Sequence, residues 1–299
     1  MELRRERALV LHGGGSAGNA WEIGVVAGLF DGGLDVAKAD LIVGTSAGST
    51  AAAQITGARS SDLFSAIIAA ASSQQVGRGG PGSGAAPLRP TANHLETTTR
   101  IIASAESAAD MRRKMGAAAL ELDAGSDGSA QMQWRAVAAS RLPSHHWPEQ
   151  LLLITAVDAY TGEPVVFDRD SGIDLVDAVA ASTSVGFGVP PYRIGDKRYI
   201  DGGYRRNENA DLAAGYARVL VLSPFGGRSR HPQEWGMQLA AQIDELRAGG
   251  SSVETVFPDA ESLKAFGDNM MDLSRRPLAA QAGYDQGRAL AERIAEFWH

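Results

Sequence analysis

Ser46 lies in Gly44-Thr45-Ser46-Ala47-Gly48, the G-x-S-x-G spacing in which a serine oxygen can serve as a nucleophile. A serine in that pattern sits on a sharp strand-to-helix turn, and the flanking Gly44 and Gly48 remove side chains that would collide there. Its oxygen then stands at a sheet edge, near the positive N-terminal end of the following helix. The preceding DLIV reads as a strand and the following small residues as a helix, which is the context the motif needs.

A second group is His12-Gly13-Gly14-Gly15-Ser16-Ala17-Gly18. Three glycines after a strand allow the N–H groups of Gly13, Gly14 and Gly15 to converge on an oxygen, as an oxyanion hole requires. Gly13, Gly15 and Gly18 also satisfy the dinucleotide pattern G-x-G-x-x-G. That alternative wants an acidic residue closing the second strand to hold a ribose, and here the strand closes with Gly44-Thr45-Ser46. His12, at the strand end, is expected to be satisfied by backbone.

The third group is Asp201-Gly202-Gly203, which follows a short strand and is the candidate general base. Asp31-Gly32-Gly33 repeats the tripeptide, but it follows a helix and reads as a glycine C-cap turn. A histidine base is not in view. Downstream of Asp201 stand only His231, beside Pro232, and His299, the last residue. A serine–aspartate pair works without one if burial raises the carboxylate pKa enough to make it a usable base.

Composition agrees by exclusion. The 299 residues carry 28 Lys+Arg against 35 Asp+Glu, a formal charge of −7, six His and no Cys. That balance argues against a nucleic-acid partner, and the missing thiols exclude disulfides, Cys-ligated metals and a thiol nucleophile. No His pair has ligand spacing, so neither metal nor cofactor is expected. The N-terminus lacks the long apolar stretch of a signal peptide, and no apolar run could span a bilayer. The expected address is the cytoplasm.

These groups need a scaffold. Strands are predicted at residues 7–12, 40–43, 151–157, 164–167, 198–200 and 218–222. Helices are predicted at 19–30, 47–57, 60–73, most of 94–122, 130–141, 174–181, 232–248 and 277–298. Alternating strand, turn and helix at the start signals a mostly parallel sheet between helices, a three-layer α/β/α architecture. The Gly/Pro/Ser-rich stretch at about residues 72–93 reads as a flexible insertion in one domain spanning 1–299. Residues 123–129 read as a second flexible stretch. Trp235, Met237, Met270, Met271, Phe297 and Trp298 fit core packing better than lipid contact. Arg205 and Arg206, just past the Asp turn, are expected to be solvated rather than to attract an anionic head group.

The three motifs in this order resemble the patatin-like phospholipases, a family of serine acyl hydrolases. The resemblance runs from Leu9 to about Leu222 through LVLHGGGSAGNAWEIGVVAGL, LIVGTSAGS and AVAASTSVGFGVPPYRIGDKRYIDGG. It implies Ser46 as nucleophile, Asp201 as base, Gly13, Gly14 and Gly15 as oxyanion hole, and Gly202 and Gly203 shaping the Asp loop. It also implies an acyl-ester lipid as substrate, of phospholipase A, lysophospholipase or esterase type, with transient contact to a membrane surface. The chain departs from the family at Ala17, where an Arg or Lys usually stands, and at Asn209, which precedes Ala210 rather than a proline. Substrate class is what these departures touch. The alternatives are a catalytically weak lipid- or partner-binding relative and, more remotely, the dinucleotide binder.

Overall fold

The computed structural model describes residues 5–76 and 94–299. At its centre lie eight paired strands: β1 (Arg7–Leu11), β2 (Leu41–Gly44), β3 (Leu151–Asp158), β4 (Pro164–Phe167), β5 (Tyr192–Ile194), β6 (Lys197–Asp201), β7 (Arg218–Leu222) and β8 (Ser252–Val256). From β8 through β7, β1 and β2 to β3 every pairing is parallel. Such strands are covered on both faces, which is why β2 is apolar throughout and β1 and β7 are apolar after their first arginine.

The helices are α1 (Gly15–Asp31), α2 (Ala47–Gly57), α3 (Ser60–Val76), α4 (His94–Ser104), α5 (Ala108–Asp123), α6 (Ser129–Arg141), α7 (Leu175–Ser182), α8 (Leu239–Ala248), α9 (Ala260–Phe266) and α10 (Arg276–Trp298). Leu9, Leu11, Ile42 and Leu220 face one core with Trp21 and Val25 of α1, Ala51 of α2, Val179 of α7 and Trp298 of α10. Ala8, Val10, Val43 and Val221 face the other side, against Ala210, Ala213 and Leu239 and Leu246 of α8. The expected α/β/α layering is therefore present. A third cluster, from Ile102 of α4 and Met111 and Met115 of α5, covers Val157 and Ile200, where β3 outruns β2.

That overrun positions the site. On β3, Ile154 pairs with Gly44 on one edge and with Phe167 on the other, while Ala156 pairs with Asp201 and Val165. Since β4 occupies one edge throughout, β2 and β6 share the other edge in succession. β2 runs parallel to β3 and β6 runs antiparallel, so their carboxyl ends point at each other across Thr155. One chain end leads to Ser46, and the other is Asp201.

Several boundaries differ from the sequence-based reading. α1 begins at Gly15, inside the glycine loop. The segment 232–248 is not one helix: Gly236, at φ +61, breaks it after a 3-10 turn, and α8 starts only at Leu239. β8, for which the sequence predicts no strand, is an edge strand on β7 that alternates with polar residues. Within 94–122, Ser107 caps a fresh helix by accepting the Asp110 N–H. Of the expected insertion, 72–76 continue α3 and 77–93 lie outside the described residues. Of residues 123–129, Asp123 ends α5 and ion-pairs with Arg198, Ser129 opens α6, and 124–128 are short turns between them.

α1 and α10 meet through glycines. A Cβ at Gly24 would fall 2.1 Å from the Ala280 carbonyl oxygen, and one at Gly283 would fall 2.4 Å from that of Trp21. Backbone on both sides leaves no room to relax, so Gly24→Ala is expected to destabilise the fold by about 3 kcal/mol. Gly125→Ala, where an added Cβ meets nothing within 4 Å, should stay within about 0.5 kcal/mol. Urea denaturation of the two variants checks this; equal midpoints would show that the helix seam is looser than described.

Candidate active site

β2 feeds directly into the serine turn. Thr45 N–H donates to the Leu11 carbonyl at 3.0 Å, and Ser46 then takes φ +53 and ψ −125. A non-glycine residue at positive φ is strained and persists only where its surroundings hold it. Here Ser46 N–H donates to Ser182 Oγ at 2.9 Å, and the Ser46 carbonyl accepts from Ser49 N–H at 2.9 Å and Ser49 Oγ at 2.6 Å. The helix comes so close that a Cβ on Gly48 would lie 2.2 Å from the Leu11 carbonyl oxygen, and one on Gly44 would lie 2.6 Å from Ser49 Cα. Because Ser182 takes the Ser46 N–H, that group is not free to bind an oxyanion.

The glycine turn passes beside the serine. A Cβ on Gly13 would sit 2.9 Å from Ser46 Cβ and 3.4 Å from its Oγ. Gly15 opens α1 at φ +59, a region that favours glycine. Ala17 N–H goes to the Met270 carbonyl at 2.9 Å and Gly18 N–H to that of Gly14 at 2.9 Å. No hydrogen bond among the described residues takes the N–H of Gly13, Gly14 or Gly15. Orphan N–H groups at a helix start form an anion-binding site.

Asp201, at the end of β6, is buried at 6% exposure. Its Oδ2 accepts the Ser46 hydroxyl at 2.6 Å and its Oδ1 accepts Gly203 N–H at 2.7 Å. Burial pushes its pKa up from 3.8 to about 6, and these two bonds hold it back from rising further. Gly202 cannot carry a side chain, since its Cβ would fall 2.1 Å from Thr155 Oγ1. Ser46 and Asp201 thus meet at the sheet edge with Gly13 beside the serine, while Gly14 and Gly15 continue the turn past Pro224 and Met271.

Sequence reasoning missed a buried staple beneath them. Asn209, at φ +58, donates through Nδ2 to Thr45 Oγ1 at 2.9 Å, Gly202 O at 3.1 Å and Thr155 Oγ1 at 3.3 Å. It ties the serine turn, β3 and the Asp turn together, while Arg205 donates to its Oδ1 at 2.7 Å. The signal was a lone asparagine eight residues after Asp201, noticed only for its missing proline.

Other expectations resolve as follows. Arg205 is held by Asp211 and Arg206 by Glu245 and the Gly236 carbonyl, so neither is simply solvated. His12 is buried against Phe225, and its Nδ1 has no partner, contrary to the expected backbone bond. Burial lowers its pKa, with Glu208 opposing. Met237 and Trp298 are core residues, whereas Met271 is exposed. Asp31 ends α1 ahead of Gly32 and Gly33, as expected for a C-cap turn. Among the described residues no group of three or more His, Asp or Glu could hold a metal ion, and no helix is long and apolar enough to cross a membrane.

Compared with solved structures, the chain is similar to VipD from Legionella pneumophila, at 14% identity and a TM-score of 0.44 over 97% of this chain and 67% of that one. It is also similar to the type III effector protein ExoU, at 18% identity and a TM-score of 0.34 over 95% of this chain and 54% of that one. It therefore spans about half the length of ExoU. No curated protein matches the sequence. A family model described as patatin-like phospholipase matches residues 9–214, a segment that contains all three motifs. The chain belongs to the patatin-like phospholipase family.

Proposed function

We propose that the protein hydrolyses acyl esters of lipids through an acyl-enzyme on Ser46, with Asp201 as general base. The observation that carries this reading is the 2.6 Å bond from Ser46 Oγ to Asp201 Oδ2. Asp201 takes the Ser46 proton as Oγ attacks the ester carbonyl. The N–H groups of Gly13, Gly14 and Gly15 receive the oxyanion, each such donor contributing roughly 3 kcal/mol. Collapse of the tetrahedral intermediate expels the alcohol, which takes the proton from Asp201. Asp201 then deprotonates a water that attacks the acyl-enzyme, and as the second intermediate collapses Ser46 Oγ takes that proton back and the fatty acid leaves.

A carboxylate with a pKa near 6 is ionised at neutral pH yet basic enough to accept the proton, where an ordinary aspartate would be too weak a base. A lipid substrate fits the rim. Met271 lies against Gly15 and Phe225 against His12, and both side chains are 37% exposed. Apolar side chains at the mouth of the site suit an acyl chain and transient contact with a membrane surface. Phospholipase A, lysophospholipase and simpler esterase activities are all compatible with this chemistry.

An alkyl fluorophosphonate should label the protein on Ser46, and Ser46→Ala should abolish both labelling and hydrolysis of p-nitrophenyl esters. Labelling elsewhere, or equal labelling of Ser46→Ala, would overturn the assignment. Asp201→Asn should lower kcat by about 10²–10⁴ while stabilising the fold at alkaline pH. The Asp201 pKa is raised on folding, so its contribution to stability is full below about pH 4 and is lost as pH rises through about 6. The asparagine variant is expected to exceed wild type by about 3 kcal/mol at pH 8 and to match it near pH 4. Melting curves at the two pH values check this; no pH-dependent difference would mean that Asp201 is solvated.

A further inference from the structure

Arg276 opens α10, beyond the segment 9–214 that the family model covers. Its Nη1 donates to the Ser16 carbonyl at 3.1 Å and to Asn19 Oδ1 at 2.8 Å, on the first turns of α1 directly after the glycines. Asn19 in turn donates through Nδ2 to Gln54 Oε1 at 3.0 Å and to the Ala47 carbonyl at 3.4 Å. One chain of bonds therefore runs from α10 through the first turns of α1 to α2, the helix that directly follows Ser46. The segment preceding Arg276 meets the same turn, since the Met270 carbonyl accepts Ala17 N–H and the Met271 side-chain Sδ would lie 2.7 Å from a Cβ on Gly15.

The charge is unusual for a half-buried arginine. Both acceptors are neutral, and among the described residues no carboxylate forms an ion pair with it. Burial and the repulsion of Arg141 lower its pKa to about 10, which still leaves it charged at neutral pH. A cation taken out of water without a counter-ion is destabilising, so its persistence calls for a compensating gain. The turn itself bears Ala17 and no charge of its own.

We propose that Arg276 is the positioning residue of the oxyanion turn: it locks the first turns of α1 against α2 and supplies the positive charge that the ester oxyanion answers when it forms. This inference rests on the acyl-transfer reading of Ser46. Donors fixed in advance stabilise a developing charge more than donors that must reorganise.

The test compares wild type, Arg276→Gln, Arg276→Lys and Asn19→Ala in p-nitrophenyl butyrate turnover, fluorophosphonate labelling and hydrogen–deuterium exchange of the 13–19 amides. Arg276→Gln is expected to lower kcat about ten- to hundredfold with KM little changed, and to speed exchange in the 13–19 segment. Arg276→Lys should keep more of kcat than the glutamine variant, and millimolar guanidinium should restore part of the loss in Arg276→Gln. Should Arg276→Gln not fold, Asn19→Ala is expected to lower kcat about three- to tenfold and speed the same exchange. Unchanged kcat and exchange in whichever variant folds would overturn the proposal, as would a rate loss that only tracks the fraction folded. Wild type that neither turns over esters nor takes the label would defeat the acyl-transfer reading instead, and exchange of the 13–19 amides would still decide whether Arg276 positions the turn.

Discussion

The site depends on a single edge of β3. β2 and β6 occupy that edge in turn, one parallel and one antiparallel, and they end facing each other across Thr155. Strand pairing is rigid, so this arrangement delivers Ser46 and Asp201 to hydrogen-bond distance without relying on a mobile loop. Asn209 then closes the junction from below by holding Thr45, Thr155 and the Gly202 carbonyl at once. The glycines follow from the same crowding, for where three chain segments converge there is no room for Cβ atoms at Gly13 or Gly202.

Two local features are unfavourable to folding and make sense at this junction. Ser46 is held at φ +53, and Asp201 is buried with its pKa raised to about 6. Strain and desolvation of this kind persist when the rest of the fold over-determines the geometry, and they concentrate where chemistry is done. The half-buried Arg276, which forms no ion pair with a carboxylate among the described residues, is a third such feature, and it lies against the same turn.

The serine turn and the glycine turn were legible in the sequence because each is a local strand-to-helix event whose glycines are contiguous. Asp201 was legible from motif order, but the direction of its strand was not, since pairing of β6 with β3 is a long-range choice that no local pattern records. Asn209 and Arg276 escaped for the same reason: the bond from Arg276 to Ser16 joins residues 260 positions apart. β8 is hard to read because an edge strand such as SVETV alternates with polar residues, and the apolar pattern before it continues across Gly236, where positive φ breaks the helix. The layered sheet itself was readable from the apolar runs, which burial on both faces demands.

Residues 215–299 lie outside the family-matched segment, yet α10 packs along α1 through Gly24, Gly28, Gly283 and Gly287 and grips the first turns of α1 beside Ser46. The central claim is that a buried carboxylate, rather than a histidine, activates the serine, and the pH profile of kcat/KM for ester hydrolysis by the free enzyme tests it most directly. The account requires a rise governed by one proton with its midpoint near 6, followed by a plateau. A profile flat across that region, or a midpoint that survives in Asp201→Asn, would contradict it.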